Sequence, residues 1–517
     1  MHLPPARRPH VLLALLFSVA SLFFIHTIHP FPFLASPRGK HGVLGIQNEH
    51  SRLDDIQQTC EAENPFVKEY GRGNLRLSRA YEGSQHRIRQ FLHKALRGED
   101  LVISAIGGSV TKGHHVEKNE IWFSVFGEWL DEFLVDAKIK KVNGAQPATG
   151  SDYYSFCFPL HIPLDSDLVL VELAINDHAS AEHVENMENL IRGLLALPNN
   201  PAVILVEALA FANGGMGGGG GRMHLPVAQY YDVPVINQRH PLATHFARYP
   251  QLLKPYFSDD GWGGPDTRHV GVRGHRDLGL LVASFIQDVA CEMVSEDHSK
   301  TLSPTGPDIA SLSTGDLEDP IAEFPDQAQL WRDSPKDGET LGELMPGMWM
   351  SSAEYGIIPR MGVLEGWNPN LDHQIPPFRP TCLSTRSPFP QYKLTPTYSQ
   401  GWSAWTHPDF LDKPYLVANE TGALVRFEME TVVGVVKIYF LRSKSFGLGN
   451  VECWVDSDRD RAVNVLGWWD NGWANIGQFA TLRNDLSPGL HTISCEHMGE
   501  TNDPDGGKEF RMISMMR

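Results

Sequence analysis

Four short runs are almost wholly apolar: LVISAI at 101–106, DLVLVELAI at 167–175, AVILVEALAF at 202–211 and VPVIN at 233–237. None shows the in–out alternation of a strand with one wet face, so each reads as a strand buried on both sides. Between them lie IWFSVFGEWLDEFL (121–134) and AEHVENMENLIRGLLAL (181–197), whose apolar residues recur at helical spacing. GHRDLGLLVASFIQDVACEM (274–293) closes the series. Strands alternating with helices in this way require a parallel sheet covered by helices on both faces. The pattern predicts one α/β module over residues 88–294, with a single acid, Glu172, inside its second apolar run.

A chain of 517 residues exceeds one such module. From 395 onward the pattern changes to short strand-like runs: ALVRFEME (423–430), VVGVVKIYFL (432–441), VECWVD (451–456), AVNVLGWW (462–469) and HTISCEH (491–497). Turn residues separate them, which predicts an all-β sandwich over 395–517. Residues 295–394 read as a linker and irregular segment, since their first half is rich in Ser, Pro, Asp and Glu and lacks periodicity. Residues 31–87 are polar and irregular, a stem or lead-in, and GGMGGGGG (214–221) reads as a solvent loop.

The first 30 residues stand apart. Arg7 and Arg8 precede residues 11–28, a run with no charged residue and one histidine, His26. A bilayer span needs about 20 apolar residues, with a range that starts near 17. A cleaved signal has a shorter apolar core of roughly 7–15 residues. Residues 1–30 are therefore expected to form a cytoplasmic tip and an uncleaved signal anchor, one membrane-crossing helix. A cleaved signal, giving a secreted protein, is the alternative, and a buried helix is the third. The basic tip directs the body to the secretory lumen or the exterior, although Arg38 and Lys40 oppose that asymmetry. Six cysteines and the glycosylation sequon Asn419-Glu420-Thr421 fit such a compartment. Cys453 and Cys495 both lie in strand-like segments near the C-terminus and are the first pair to expect. None of the six shows CxxC spacing, so no metal is expected from them. A net charge of −18 excludes a basic nucleic-acid face.

Ser109 follows the run 101–106 directly, after Gly107 and Gly108. A parallel sheet places ligands outside the carboxyl ends of its strands, so this serine falls at the reactive edge. Two glycines let the backbone bend there. A serine hydroxyl needs an adjacent base to act as a nucleophile. PDTRHVGVRGH (265–275) offers Asp266 and His269 three residues apart, a spacing that brings a carboxylate beside an imidazole. His114, His115, His178, His240 and His275 compete for the role of base. Asn176, in the Ala174–Asp177 stretch that ends the run 167–175, can donate to a developing oxyanion. Gly144 and Gly150 provide amides in VNGAQPATGSDY (142–153).

In order and spacing, these four blocks resemble those of the SGNH (GDSL-type) hydrolase family, over roughly residues 98–294. The resemblance implies a flavodoxin-like three-layer parallel sheet and hydrolysis or transfer of acyl esters. It implies that Ser109 is the nucleophile, His269 the base and Asp266 its orienter. It places oxyanion donors on Asn176 and on a glycine of the second block, Gly150 before Gly144. No cofactor and no metal is implied. Three departures accompany it: Gly108 stands where the family has aspartate, Ala174 where it has glycine, and Val270 where proline is common. A sandwich beside such a module is similar in architecture to carbohydrate-active esterases. The expected reaction is therefore removal of acyl groups, acetyl foremost, from a carbohydrate substrate. A polysaccharide O-acetyltransferase and an inactive glycan-binding protein are the alternatives. Trp402, Trp405, Trp454, Trp468, Trp469 and Trp473 are the aromatic residues that the sandwich would bring to sugar, although most are expected in its core.

Overall fold

The computed structural model describes residues 49–212, 220–302, 355–359, 361–368, 375, 380–408, 411, 413–470 and 475–517. The signal-anchor segment, residues 214–219 of the glycine run and Trp473 lie outside the described residues.

Six strands form the first sheet: β1 (Arg79–Tyr81), β2 (Asp100–Gly107), β3 (Lys138–Asn143), β4 (Leu168–Glu172), β5 (Ala202–Glu207) and β6 (Val235–Asn237), in the order β1-β6-β5-β4-β2-β3. Strands β2 to β6 are parallel, and β1 adds an antiparallel edge on β6. The parallel part has the flavodoxin-like order, whose connections diverge between β2 and β4. Every residue of β4, β5 and β6 is buried, as their unbroken apolar runs require. Each buried Val, Leu or Ile there contributes about 1.5–3 kcal/mol.

Helices α1 (Glu49–Glu61), α2 (His86–Arg97), α3 (Ser109–Lys112), α4 (Trp122–Phe133), α5 (Ser151–Cys157), α6 (Ala181–Leu195), α7 (Gly221–Tyr230) and α8 (Val272–Leu302) accompany the sheet. The apolar stretch of α8 over Val272–Glu296 is long enough to cross a membrane, but it is mostly buried in the protein. A two-stranded ribbon of β7 (Phe257–Asp259) and β8 (Pro265–Val270) precedes α8.

Eleven strands follow: β9 (Cys382–Ser384), β10 (Tyr398–Gln400), β11 (Trp402–Thr406), β12 (Pro414–Ala418), β13 (Leu424–Thr431), β14 (Val436–Arg442), β15 (Asn450–Val455), β16 (Val463–Leu466), β17 (Ile476–Arg483), β18 (Gly489–His497) and β19 (Phe510–Met516). They make a five-stranded sheet, β10-β13-β18-β15-β16, and a six-stranded sheet, β11-β12-β19-β14-β17, with β9 paired to β19. Strand β14 is buried on both faces. Val436, Ile438 and Phe440 belong to the core between the two sheets, whereas Tyr439 and Leu441 pack with residues of the α/β module such as Tyr153, Phe156 and Leu190. Lys437, on the same face as Tyr439, donates to Asn186 Oδ1 at 3.1 Å and lies over the rings of Phe156 and Phe479.

Two segments expected to be irregular carry structure. Within the stem, residues 49–81 form helices and the edge strand β1, and Ile56, Phe66 and Leu75 enter the main core. Those anchors sit on three separate short helices, so no periodicity announces them. Within the linker, Met361 O accepts from Tyr230 OH at 3.0 Å, Pro359 O accepts from Arg192 Nη1 at 2.9 Å, and the amide of Val363 donates to Glu188 Oε1 at 2.8 Å. The sandwich takes its first strand at Cys382, ahead of residue 395.

Cys453 pairs with Cys495, its register neighbour across β15 and β18. Cys60 joins α1 to Cys291 of α8, and Cys157 joins α5 to Cys382 of β9. The last bond crosses from the α/β module to the sandwich and closes a span of 225 residues. Replacing both Cys157 and Cys382 with serine is expected to cost about 2–4 kcal/mol. The check is a lower urea midpoint than that of the parent chain.

Candidate active site

The turn after β2 is built on two missing side chains. A Cβ on Gly107 would lie 2.2 Å from Thr111 Oγ1 and 2.8 Å from the carbonyl oxygen of Glu172. One on Gly108 would lie 2.4 Å from Asn176 Oδ1. The glycines thus let β2 close against the end of β4, and Ser109 opens α3 at the point where the sheet's connections diverge.

His269 approaches from β8. Its Nε2 lies 2.8 Å from Ser109 Oγ, and its Nδ1 lies 2.5 Å from Asp266 Oδ2. The network assigns the ring hydrogen to Nδ1, so Nε2 accepts from the serine hydroxyl. Asp266 Oδ1 accepts from the amide of Arg268 at 2.9 Å. Burial pulls the His269 pKa below the ordinary histidine value, and this outweighs the attraction of Asp266. Burial alone would raise Asp266, but the His269 ring and the backbone amides beside it hold its carboxyl below the usual range. Neutral imidazole and ionised carboxylate are the forms a serine–base pair needs.

The remaining site residues follow from β4 and α5. Asn176 is half-buried in the turn after β4, its side chain against Gly108. Gly150 caps α5, and its amide donates to Asp152 Oδ1 at 3.2 Å. Burial, then the neighbouring Asp177, pushes Asp152 up to about 6. The amide of Gly144 donates to Ala105 O at 2.8 Å, extending the β2–β3 pairing, so Gly144 is spent on the sheet. His275 is fully buried and accepts from the amide of Trp122 at 3.2 Å, a packing role.

Two buried acids frame these residues. Glu172 accepts from Thr111 Oγ1 at 3.0 Å beneath the serine turn, and burial raises it to about 8 despite the bonds from Thr111 and Gly108. Burial thus favours its neutral form beside the serine turn. Asp177 is wholly buried, yet its contacts to His183 and His224 outweigh burial and hold it low. Its Oδ2 lies 2.8 Å from His224 Nε2, and its Oδ1 accepts from the amide of Ser151 at 2.8 Å. A Cβ on Gly150 would meet Asp177 Oδ1 at 2.3 Å. Asp177 therefore ties the Gly150 loop to the Asn176 turn. At the end of the glycine run, the amide of Gly220 donates to Asp177 O at 2.8 Å. Glu172 was visible as the lone acid in an apolar strand. His183 and His224 carry no such signal, being ordinary helix residues.

In the sandwich, Trp402 and Trp454 are buried as core. Trp405 and Trp469 are half-buried beneath the guanidinium groups of Arg511 and Arg442, which occupy their faces.

No family model matches the sequence, and no curated protein matches it. Among solved structures, a two-domain esterase (CEX) active on acetylated mannans superposes with a TM-score of 0.58 at 16% identity, covering 86% of this chain and 97% of that one. The same esterase co-crystallised with mannopentaose gives 0.57 at 17% identity, over 86% and 98%. The chain thus has the fold of that two-domain protein, an α/β module followed by a β-sandwich. That architecture extends through both of its globular parts.

The His269 ring is expected to be half-protonated below pH 6.5, the ordinary histidine value. NMR titration of the imidazole, compared with Ser109→Ala, measures it.

Proposed function

We propose that the protein is a serine esterase that removes acyl groups, acetyl foremost, from a glycan. The observation that carries this reading is the hydrogen-bonded sequence Ser109 Oγ, His269 Nε2, His269 Nδ1 and Asp266 Oδ2, with separations of 2.8 and 2.5 Å, at the switch point of a parallel sheet. The shared architecture with an esterase active on acetylated mannans supports the substrate class.

In this reading Ser109 Oγ attacks the ester carbonyl carbon while His269 Nε2 takes its proton. Asp266 keeps the ring oriented and stabilises the imidazolium. The oxyanion meets the amides of Ser109 and Gly150 and the side chain of Asn176, with Gly150 turning from Asp152 to do so. His269 then protonates the departing sugar oxygen. Water attacks the acyl-Ser109 carbonyl, with His269 again as base, and the free acid leaves. An added oligosaccharide in place of water would yield a transferase product, so the ratio of acetate to transferred acetyl distinguishes the two reactions.

The three disulfides support an oxidising compartment. We place the body in the secretory lumen or outside the cell, tethered by the apolar run at residues 11–28. Asn419 of the sequon is exposed on the sandwich.

Ser109→Ala is expected to abolish hydrolysis of nitrophenyl acetate and covalent labelling by a fluorophosphonate, with an unchanged thermal midpoint. Full activity in that variant removes the reading. Gly108→Ala places a methyl where the Asn176 side chain sits and displaces it. A fall of about 10²–10³ in kcat is expected, the usual effect of losing one oxyanion donor. Steady-state kinetics, read beside Asn176→Ala, check it.

A further inference from the structure

His114 and His115 directly follow the turn that ends α3, the helix that Ser109 opens, and the amide of His114 donates to Ser109 O at 3.0 Å. Both side chains stand outside the hydrogen-bonded path from Ser109 to Asp266. Their ring centroids are 3.8 Å apart, and that of His114 is 4.4 Å from His269. One ligating atom from each of His114, His115 and Asp266 falls within 4.8 Å of the others. His115 holds a φ of +65°, in the left-handed region that non-glycine residues seldom enter. An outlier of this kind beside a reactive cleft calls for a functional account.

We propose that His114, His115 and Asp266 form an inhibitory binding site for zinc or a similar divalent transition ion. Two imidazoles and one carboxylate suit such ions, whereas magnesium and calcium favour oxygen donors throughout. Bonds of about 2.0–2.2 Å require the three atoms to draw closer than they stand, which rotation of two exposed imidazoles supplies. Water completes the ion's shell.

The ion would act through Asp266. Both carboxylate oxygens already accept, Oδ2 from His269 and Oδ1 from the amide of Arg268. An ion on either oxygen draws the carboxylate's charge away from His269 and sets a cation beside the ring. The ring then loses the partner that keeps it aimed at Ser109, and the ion blocks the approach over His114. No bond is made or broken in the protein: the ion displaces bound water and leaves with a chelator. Ion binding is independent of the esterase reading, while its inhibitory effect rests on that reading.

The test is calorimetric titration of zinc chloride into chelator-treated full-length chain held in detergent. All six cysteines are paired, so no thiol competes. One ion per chain is expected to bind in the wild type and in Ser109→Ala alike. His114→Gln and His115→Gln are expected to weaken uptake at least tenfold, and the exposed control His245→Gln to leave it unchanged, each variant being confirmed as folded by its thermal unfolding. Saturating zinc is expected to slow fluorophosphonate labelling of Ser109 at least tenfold, with full recovery in chelator. Equal uptake in His114→Gln, His115→Gln and wild type overturns the site. Uptake without slower labelling overturns its inhibitory role. Absence of labelling in zinc-free protein removes the esterase reading instead.

Discussion

The connections that leave the adjacent strands β2 and β4 run to opposite sides of the sheet, and that divergence opens the crevice on which everything else rests. The turn between β2 and α3 fits there only because Gly107 and Gly108 have no side chains, since Thr111, the Glu172 carbonyl and Asn176 occupy the space. A bulkier pair would drive β2 from β4 and carry Ser109 away from the ribbon that brings His269. Backbone proximity comes first, and the chemistry is placed by it.

Beneath that crevice the protein buries acids in two different states. Burial drives Glu172 toward its neutral form, whereas the two imidazoles beside Asp177 favour its ionised form. Both hold turns in place: Glu172 holds the serine turn, and Asp177 holds the loops of Gly150 and Asn176 to each other. A buried carboxylate with several donors is costly to disturb, since removal of one partner leaves the rest uncompensated. The geometry around Ser109 is therefore held from below.

Much of this was legible beforehand. Unbroken apolar runs announced the buried parallel strands, and turn-separated short strands announced the sandwich. Ser109, Asp266 and His269 could be singled out because each lies beside a marked feature: a glycine pair, a three-residue spacing, the start of the closing helix. What escaped has a common cause. Ile56, Phe66 and Leu75 anchor residues 49–81 from three separate helices, and the strap around Met361 holds by backbone bonds to buried Arg192 and Glu188 and half-buried Tyr230. Neither kind of anchoring leaves periodicity to read. His183 and His224 gain meaning only from Asp177, to which sequence distance gives no clue. Gly150 was preferred to Gly144 from the sequence, and the bond from the Gly144 amide to Ala105 O could not be read there.

The two-faced burial of β14 changes what the sandwich is. Accessory domains are commonly treated as cassettes, joined to a neighbouring module through a linker. Here Tyr439 and Leu441 are shared property, packed with the α/β module while Ile438 and Phe440 fill the sandwich core. A hybrid made by splicing at the boundary would expose an apolar wall on one half and strand Lys437 on the other. A substitution on the shared wall therefore bears on both parts at once, and the sandwich is a wall of the α/β module rather than a separable attachment.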